Sequence, residues 1–159
     1  MRYKEQLVRD PVPATELYFE ARIVLSTDVR ILAAVRHTIG DLTAVLGWND
    51  TESQAITLAV EEALTNKIRH AYRNRPDGRI QFEFRTEPDA LVFLLTDQGE
   101  PPDPAKICAQ RENMQVGGLG THIMKDVMDK VVYRTTEEGN QVVLTKYLPK
   151  DANAPGGQR

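Results

Sequence analysis

The stretch on which the reading turns is Val60–Tyr72, VEEALTNKIRHAY. It contains no Gly or Pro, and its Ala, Leu and Glu residues favour helix. At about 100° per residue, Ile56, Val60, Ala63, Leu64 and Ala71 gather on one side, which must face a sheet. Glu62, Asn66 and His70 run at spacings of four along one margin of that side, with Ala59 on the same line. Glu61 falls on the other side, near Ile68 and Tyr72. The margin overlooks the border between helix and sheet, where a ligand cavity forms without disrupting the core. An amide oxygen there suits Mg2+, a hard cation that bridges phosphates. A carboxylate one turn away can take a proton from an attacking water or hydroxyl. Alone, the stripe reads first as the solvated margin of an amphipathic helix.

Working outward, Glu16–Leu25 is rich in β-branched and aromatic residues and predicts a strand. Val29–Gly47 has apolar residues at helical spacing and a terminating Gly47. Asn49, Asp50 and Thr51 offer caps for the long helix, which should run to about Asn74, where RNRPDG breaks it. Arg79–Glu87 alternates and Ala90–Asp97 is continuously apolar, so the pair predicts a hairpin with a central second strand. A long irregular connector follows, then the helical LGTHIMKDVMDKV. VVYRTTE and QVVLTKYL form a last hairpin about Glu138-Gly139-Asn140. The order is βααββ–loop–αββ. It predicts an α+β fold: a two-layer sandwich with a mixed, mostly antiparallel sheet and helices on one face. Residues 1–14 read as a polar arm and 150–159 as a disordered tail.

Bulk properties narrow the classes. The 159 residues suit one domain, with 41% hydrophobic and 27% charged content. A net charge of −3 and the lack of any Lys/Arg run argue against nucleic acid. Cys108 is the only cysteine, so neither an internal disulfide nor a zinc cluster is expected. No apolar run reaches membrane-spanning length, and the charged N-terminus lacks a signal-peptide core; a cytoplasmic location is expected.

Two further stretches carry chemistry. The apolar run LVFLLT ends in DQGEPPDP. Asp97, at a buried strand end, is placed to accept a hydrogen bond from an exocyclic amine such as adenine's, and Gly99 lets the chain pass close to a ring. In VGGLGTHIM, Gly117, Gly118 and Gly120 sit where a loop enters a helix, a natural phosphate site. It is neither a Walker loop nor a dinucleotide fingerprint.

These three stretches, in this order, resemble the N, G1 and G2 boxes of the GHKL superfamily of ATP-binding domains. LAVEEALTNKIRHAY, DQGEPPDP and GGLGTHIMKDVMDKV resemble most closely those of the anti-sigma-factor serine/threonine kinases. The resemblance covers about Ala14 to Pro149. It implies a histidine-kinase-like, Bergerat-type fold with ATP between helix and lid, the kinase domain spanning 15–149 and the lid about 100–117. It further implies Glu62 as general base, Asn66 as the magnesium ligand and Asp97 with Gly99 as the adenine-recognising pair. Gly118, Leu119, Gly120 and Thr121 match the phosphate-facing stretch. ATP and Mg2+ are the implied cofactors. The implied partners are a sigma factor and a STAS-type anti-sigma-factor antagonist, the implied substrate of phosphorylation, and a homodimer is implied too.

The chain departs from that pattern at two places. Asp97-Gln98-Gly99-Glu100-Pro101 lacks the usual second glycine. Lys67 falls on the apolar face, where the family has a small apolar residue; it should snorkel to the cleft or mark local exposure, and a phosphate contact is one use for it. His70 is expected to make a structural hydrogen bond, and Arg69 and Arg73 to be surface charges. The departures motivate an alternative, a nucleotide-gated protein-binding regulator without phosphotransfer. A third reading is a scaffold in which the motifs are coincidental.

Overall fold

The structure, a computed structural model, describes residues 17–101 and 119–149. The expected arm at 1–14, most of the expected lid, Cys108, Gly117, Gly118 and the expected tail lie outside the described residues.

Among the described residues, five strands form one sheet: β1 (Glu20–Ser26), β2 (Arg79–Glu87), β3 (Ala90–Asp97), β4 (Lys130–Thr136) and β5 (Gly139–Tyr147), in the order β1-β2-β3-β5-β4. Every pairing is antiparallel, so the sheet is not mixed. Two consecutive helices between β1 and β2 return the chain so that β2 runs opposite to β1. β4 runs parallel to β3, so seating β5 rather than β4 beside β3 keeps that pairing antiparallel. β3 is central, as its unbroken apolar run predicts, and seven of its eight residues are buried.

Burial along β2 alternates, with Ile80, Phe82, Phe84 and Thr86 inside. The register sets Phe84 against Phe93, Phe82 against Leu95 and Ile80 against Asp97. Across β5, Leu95 faces Val142 and Asp97 faces Asn140. The apolar layer under the helices therefore ends at Asp97 and Asn140, which bring polar groups to its border.

Helix α1 (Leu32–Val45) starts later than the apolar spacing suggests, because Asp28 first caps a single tight turn, Val29–Ile31. Its carboxylate accepts from the Arg30 backbone N–H at 2.9 Å. Helix α2 (Asp50–Asn66) opens with a full capping box: the Asn49 side chain accepts from the Glu52 N–H at 2.9 Å and the Glu52 carboxylate accepts from the Asn49 N–H at 3.2 Å. α2 packs against both α1 and α3 (Leu119–Val127). Its buried positions include Ile56, Val60, Ala63 and Leu64, the face read from the spacing. Glu61 lies on the α1 side, forked by Arg36 at 2.7 Å. Among the described residues, no helix is long and apolar enough to cross a membrane.

Candidate functional site

After Asn66 the helix widens. Lys67–Ala71 is a π-helical segment, a feature frequent at functional sites. The helix closes at Tyr72, short of Asn74, because Arg73 and Asn74 turn left-handed with φ of 52° and 61°. Widening ends the spacing of four. His70 is exposed and its side chain makes no hydrogen bond among the described residues, so the structural bond expected of it is not made there. Arg73 is a surface charge, ion-paired to Glu100 at 2.8 Å. Glu62 and Asn66, one regular turn apart before the widening, are half-buried. Neither side chain makes a hydrogen bond among the described residues, so a carboxylate and an amide oxygen stand available to a ligand. That donor set fits a hard cation held largely by phosphate and water oxygens.

Lys67 marks no exposed turn; its head runs to Asp97, the carboxylate expected at the base end of the cleft. Its side chain is 11% exposed and its ammonium donates to Asp97 Oδ2 and, at 3.0 Å, to the Asn140 carbonyl. Burial pushes the ammonium below the ordinary lysine range, and the Asp97 charge offsets part of that fall. The Asp97 side chain is 1% exposed, and its Oδ1 accepts from the Gly99 N–H at 2.9 Å. Both oxygens of the expected base-reading carboxylate are thus engaged within the protein.

Gly99 answers to the protein as well. A Cβ there would meet the Ala71 carbonyl oxygen at 2.5 Å and the Ala71 Cβ at 2.7 Å. The neighbouring Glu100 N–H donates to that same carbonyl at 3.0 Å, tying the loop to the helix end. Spacing alone did not reveal two further contributors. Asn140 donates to the Gly99 carbonyl at 3.2 Å while its own carbonyl takes Lys67; only the strand register shows that it lies opposite Asp97. The Tyr72 hydroxyl donates to the Arg79 carbonyl at 2.5 Å and accepts from the Gln98 N–H at 3.3 Å, bracing the loop from below.

A cavity of about 600 Å³ opens past the helix end, between Tyr72–Arg75 and Gln98–Pro101. Neither Glu62 nor Asn66 lines it. On their side of the site, Tyr133 of β4 has its phenol raised above the usual value by burial and, second, by the Glu62 charge. Tyr133 still presents 38% of its surface, so that environment is only partly shielded. Leu119, Gly120 and Thr121 open the described part of α3, and Gly118 lies just outside it.

Comparison with known proteins matches this arrangement. The family model of the histidine kinase-like ATPase domain covers residues 25–146. A serine-protein kinase RsbW from Listeria innocua is 30% identical over 124 residues, covering 71% of this chain and 77% of its own length. The protein of that name from Staphylococcus epidermidis is 27% identical over 157 residues, 92% of this chain and 96% of its own. Among solved structures, the RsbU and RsbW domains of a Mycobacterium tuberculosis protein superpose with a TM-score of 0.59 at 17% identity, over 82% of this chain and 32% of that one. The histidine kinase domain of a blue-light activated kinase from Erythrobacter litoralis gives 0.54 at 18% identity, over 80% of this chain and 63% of that one. This chain thus spans about a third of the first solved chain and under two thirds of the second, and both speak for the fold alone. The motif order, the antiparallel sheet with helices on one face, and the family match converge: the chain belongs to the histidine kinase-like ATPase family and, within it, to the serine-protein kinases of the RsbW type.

Proposed function

We propose that the chain binds Mg-ATP at the border of α2 and the sheet and phosphorylates a serine or threonine on a STAS-type anti-sigma-factor antagonist. In its other state it holds a sigma factor in the cytoplasm, and partner switching releases it. The observation that carries this reading is the pair Glu62 and Asn66, half-buried, one turn apart and without hydrogen bonds among the described residues, beside Asp97 at the end of the central strand. Glu62 takes the proton of the attacking hydroxyl as its oxygen bonds to the γ-phosphorus and ADP leaves. Asn66 would hold magnesium through its amide oxygen, and the ion supplies neutralising charge on the phosphates. Asp97 and Gly99 form the base end. Gly118 to Thr121 supply backbone N–H groups toward phosphate at the entry to α3, with residues 100–117 as the lid.

The test is phosphate transfer from labelled ATP to purified STAS-domain antagonists. Glu62→Gln should slow transfer at least about 100-fold while ATP binding stays within about threefold, and Asn66→Ala should weaken Mg-ATP binding. Transfer by Glu62→Gln at the wild-type rate removes Glu62 as base. ATP binding without any phosphorylated product turns the reading to nucleotide-gated partner binding.

A further inference from the structure

We propose that Lys67 sets base selectivity in this site: its ammonium, standing on Asp97, makes the base end accept 6-oxo purines as readily as 6-amino ones. The inference rests on the nucleotide reading above.

A lone carboxylate only accepts hydrogen bonds. It selects a purine whose 6-substituent donates, and it repels a 6-oxo group, whose lone pairs would face its own. Asp97 is not alone. Its Oδ1 accepts from the Gly99 N–H, and its Oδ2 accepts from Lys67. With a side chain 1% exposed, it has no open side through which an amine could reach it while Lys67 stays. The ammonium carries three donors and no acceptor. One goes to Asp97 and one to the Asn140 carbonyl at 3.0 Å. The third has no partner among the described residues, and the side chain is not fully sealed, at 11% exposure. What the base end offers is therefore a donor beside an occupied acceptor. A 6-oxo group can accept from that donor with the pair intact. A 6-amino group reaches Asp97 only after the ammonium has left it, and breaking a nearly buried pair offsets what the amine gains.

The position is built rather than incidental. Lys67 begins the π-helical segment, and β3 and β5 meet at Asp97 and Asn140 to receive its head. A purely structural ion pair would leave nucleotide preference untouched, which separates the two roles.

The experiment is calorimetric titration of the full chain with ATP and with inosine triphosphate, each with Mg2+. The expected wild-type dissociation constants agree within about threefold. Lys67→Arg keeps a cation on Asp97 and should keep that ratio. Lys67→Met keeps the stem and removes the donors, so ATP should become favoured over inosine triphosphate by about tenfold or more. A wild type that already prefers ATP tenfold, or a folded Lys67→Met with the wild-type ratio, overturns the proposal. If Lys67→Met does not fold, the wild-type ratio and Lys67→Arg decide it. Binding of neither nucleotide by any variant overturns the nucleotide reading itself, and this proposal with it.

Discussion

Gly139 opens β5 with φ of 130°, and a Cβ there would lie 2.2 Å from the Asp97 carbonyl oxygen and 3.0 Å from its carbonyl carbon. Those are main-chain atoms of the central strand, locked by the Asp97↔Asn140 pairing, so no side-chain rotation can relieve the contact. Gly139→Ala adds backbone strain of about 1–3 kcal/mol to overpacking of about 1–3 kcal/mol. The middle of the sum is about 4 kcal/mol. With a urea slope of about 2 kcal/mol per molar, the unfolding midpoint should fall by about 2 M. Gly40 is the internal control. It lies in α1 with nothing within 4 Å of a built Cβ. Gly40→Ala should stabilise by about 0.5–1 kcal/mol, because glycine is the costlier residue in a helix interior. Equilibrium urea unfolding followed by circular dichroism reads both. The same chemical change should move the midpoint in opposite directions. A Gly139→Ala protein unfolding within about 0.3 M of wild type would refute the argument that the Asp97 main chain is held from behind.

Two further outcomes follow from local geometry. Asn49→Ala removes one half of the capping box on α2 and should cost about 1 kcal/mol, a drop of about 2–4 °C in melting temperature; an unchanged melting temperature would mean that the box is ornamental. Asp28 is held down to about 2 from its usual 3.8, first by the hydrogen bond from the Arg30 side chain and then by the Arg30 backbone N–H. Because the folded value is the lower one, its contribution is present above pH 3.8 and is lost as pH falls toward 2. Carboxylate titration by NMR checks this, and Arg30→Gln should move the midpoint up toward the usual aspartate value.

Much of the fold was legible in the chain. β2 and β3 run as the alternating and continuous apolar stretches predict, Arg79–Glu87 and Ala90–Asp97, because period-two burial and an unbroken apolar run each leave a local trace. The face of α2 followed from its spacing, and its start from Asn49, for the same reason. The order of elements and the one-sided helix layer needed only hairpin signals and helix periods. Three stretches in the right order also pointed to the family that the comparisons show.

Tertiary contact decided the rest. The fate of Lys67 could not be read from α2, because its partners, Asp97 and Asn140, sit 30 and 73 residues further along. Nothing local distinguishes a lysine that reaches water from one that finds a carboxylate across a packed layer; the cost of an unpaired buried charge selects between them only once the layer exists. His70 lost its place on the stripe because the helix widened at Lys67, a change of pitch that a spacing of four cannot anticipate. Gly99 passes close to Ala71 as well as lining the cavity, a contact that no local pattern announces. By itself, then, the sequence determined which elements form, which faces they bury and in what order the candidate motifs come, since side-chain type and period are local properties. Which of those groups are already engaged with one another was decided only by the tertiary structure, because hydrogen bonds and ion pairs across the sheet depend on strand register and helix pitch.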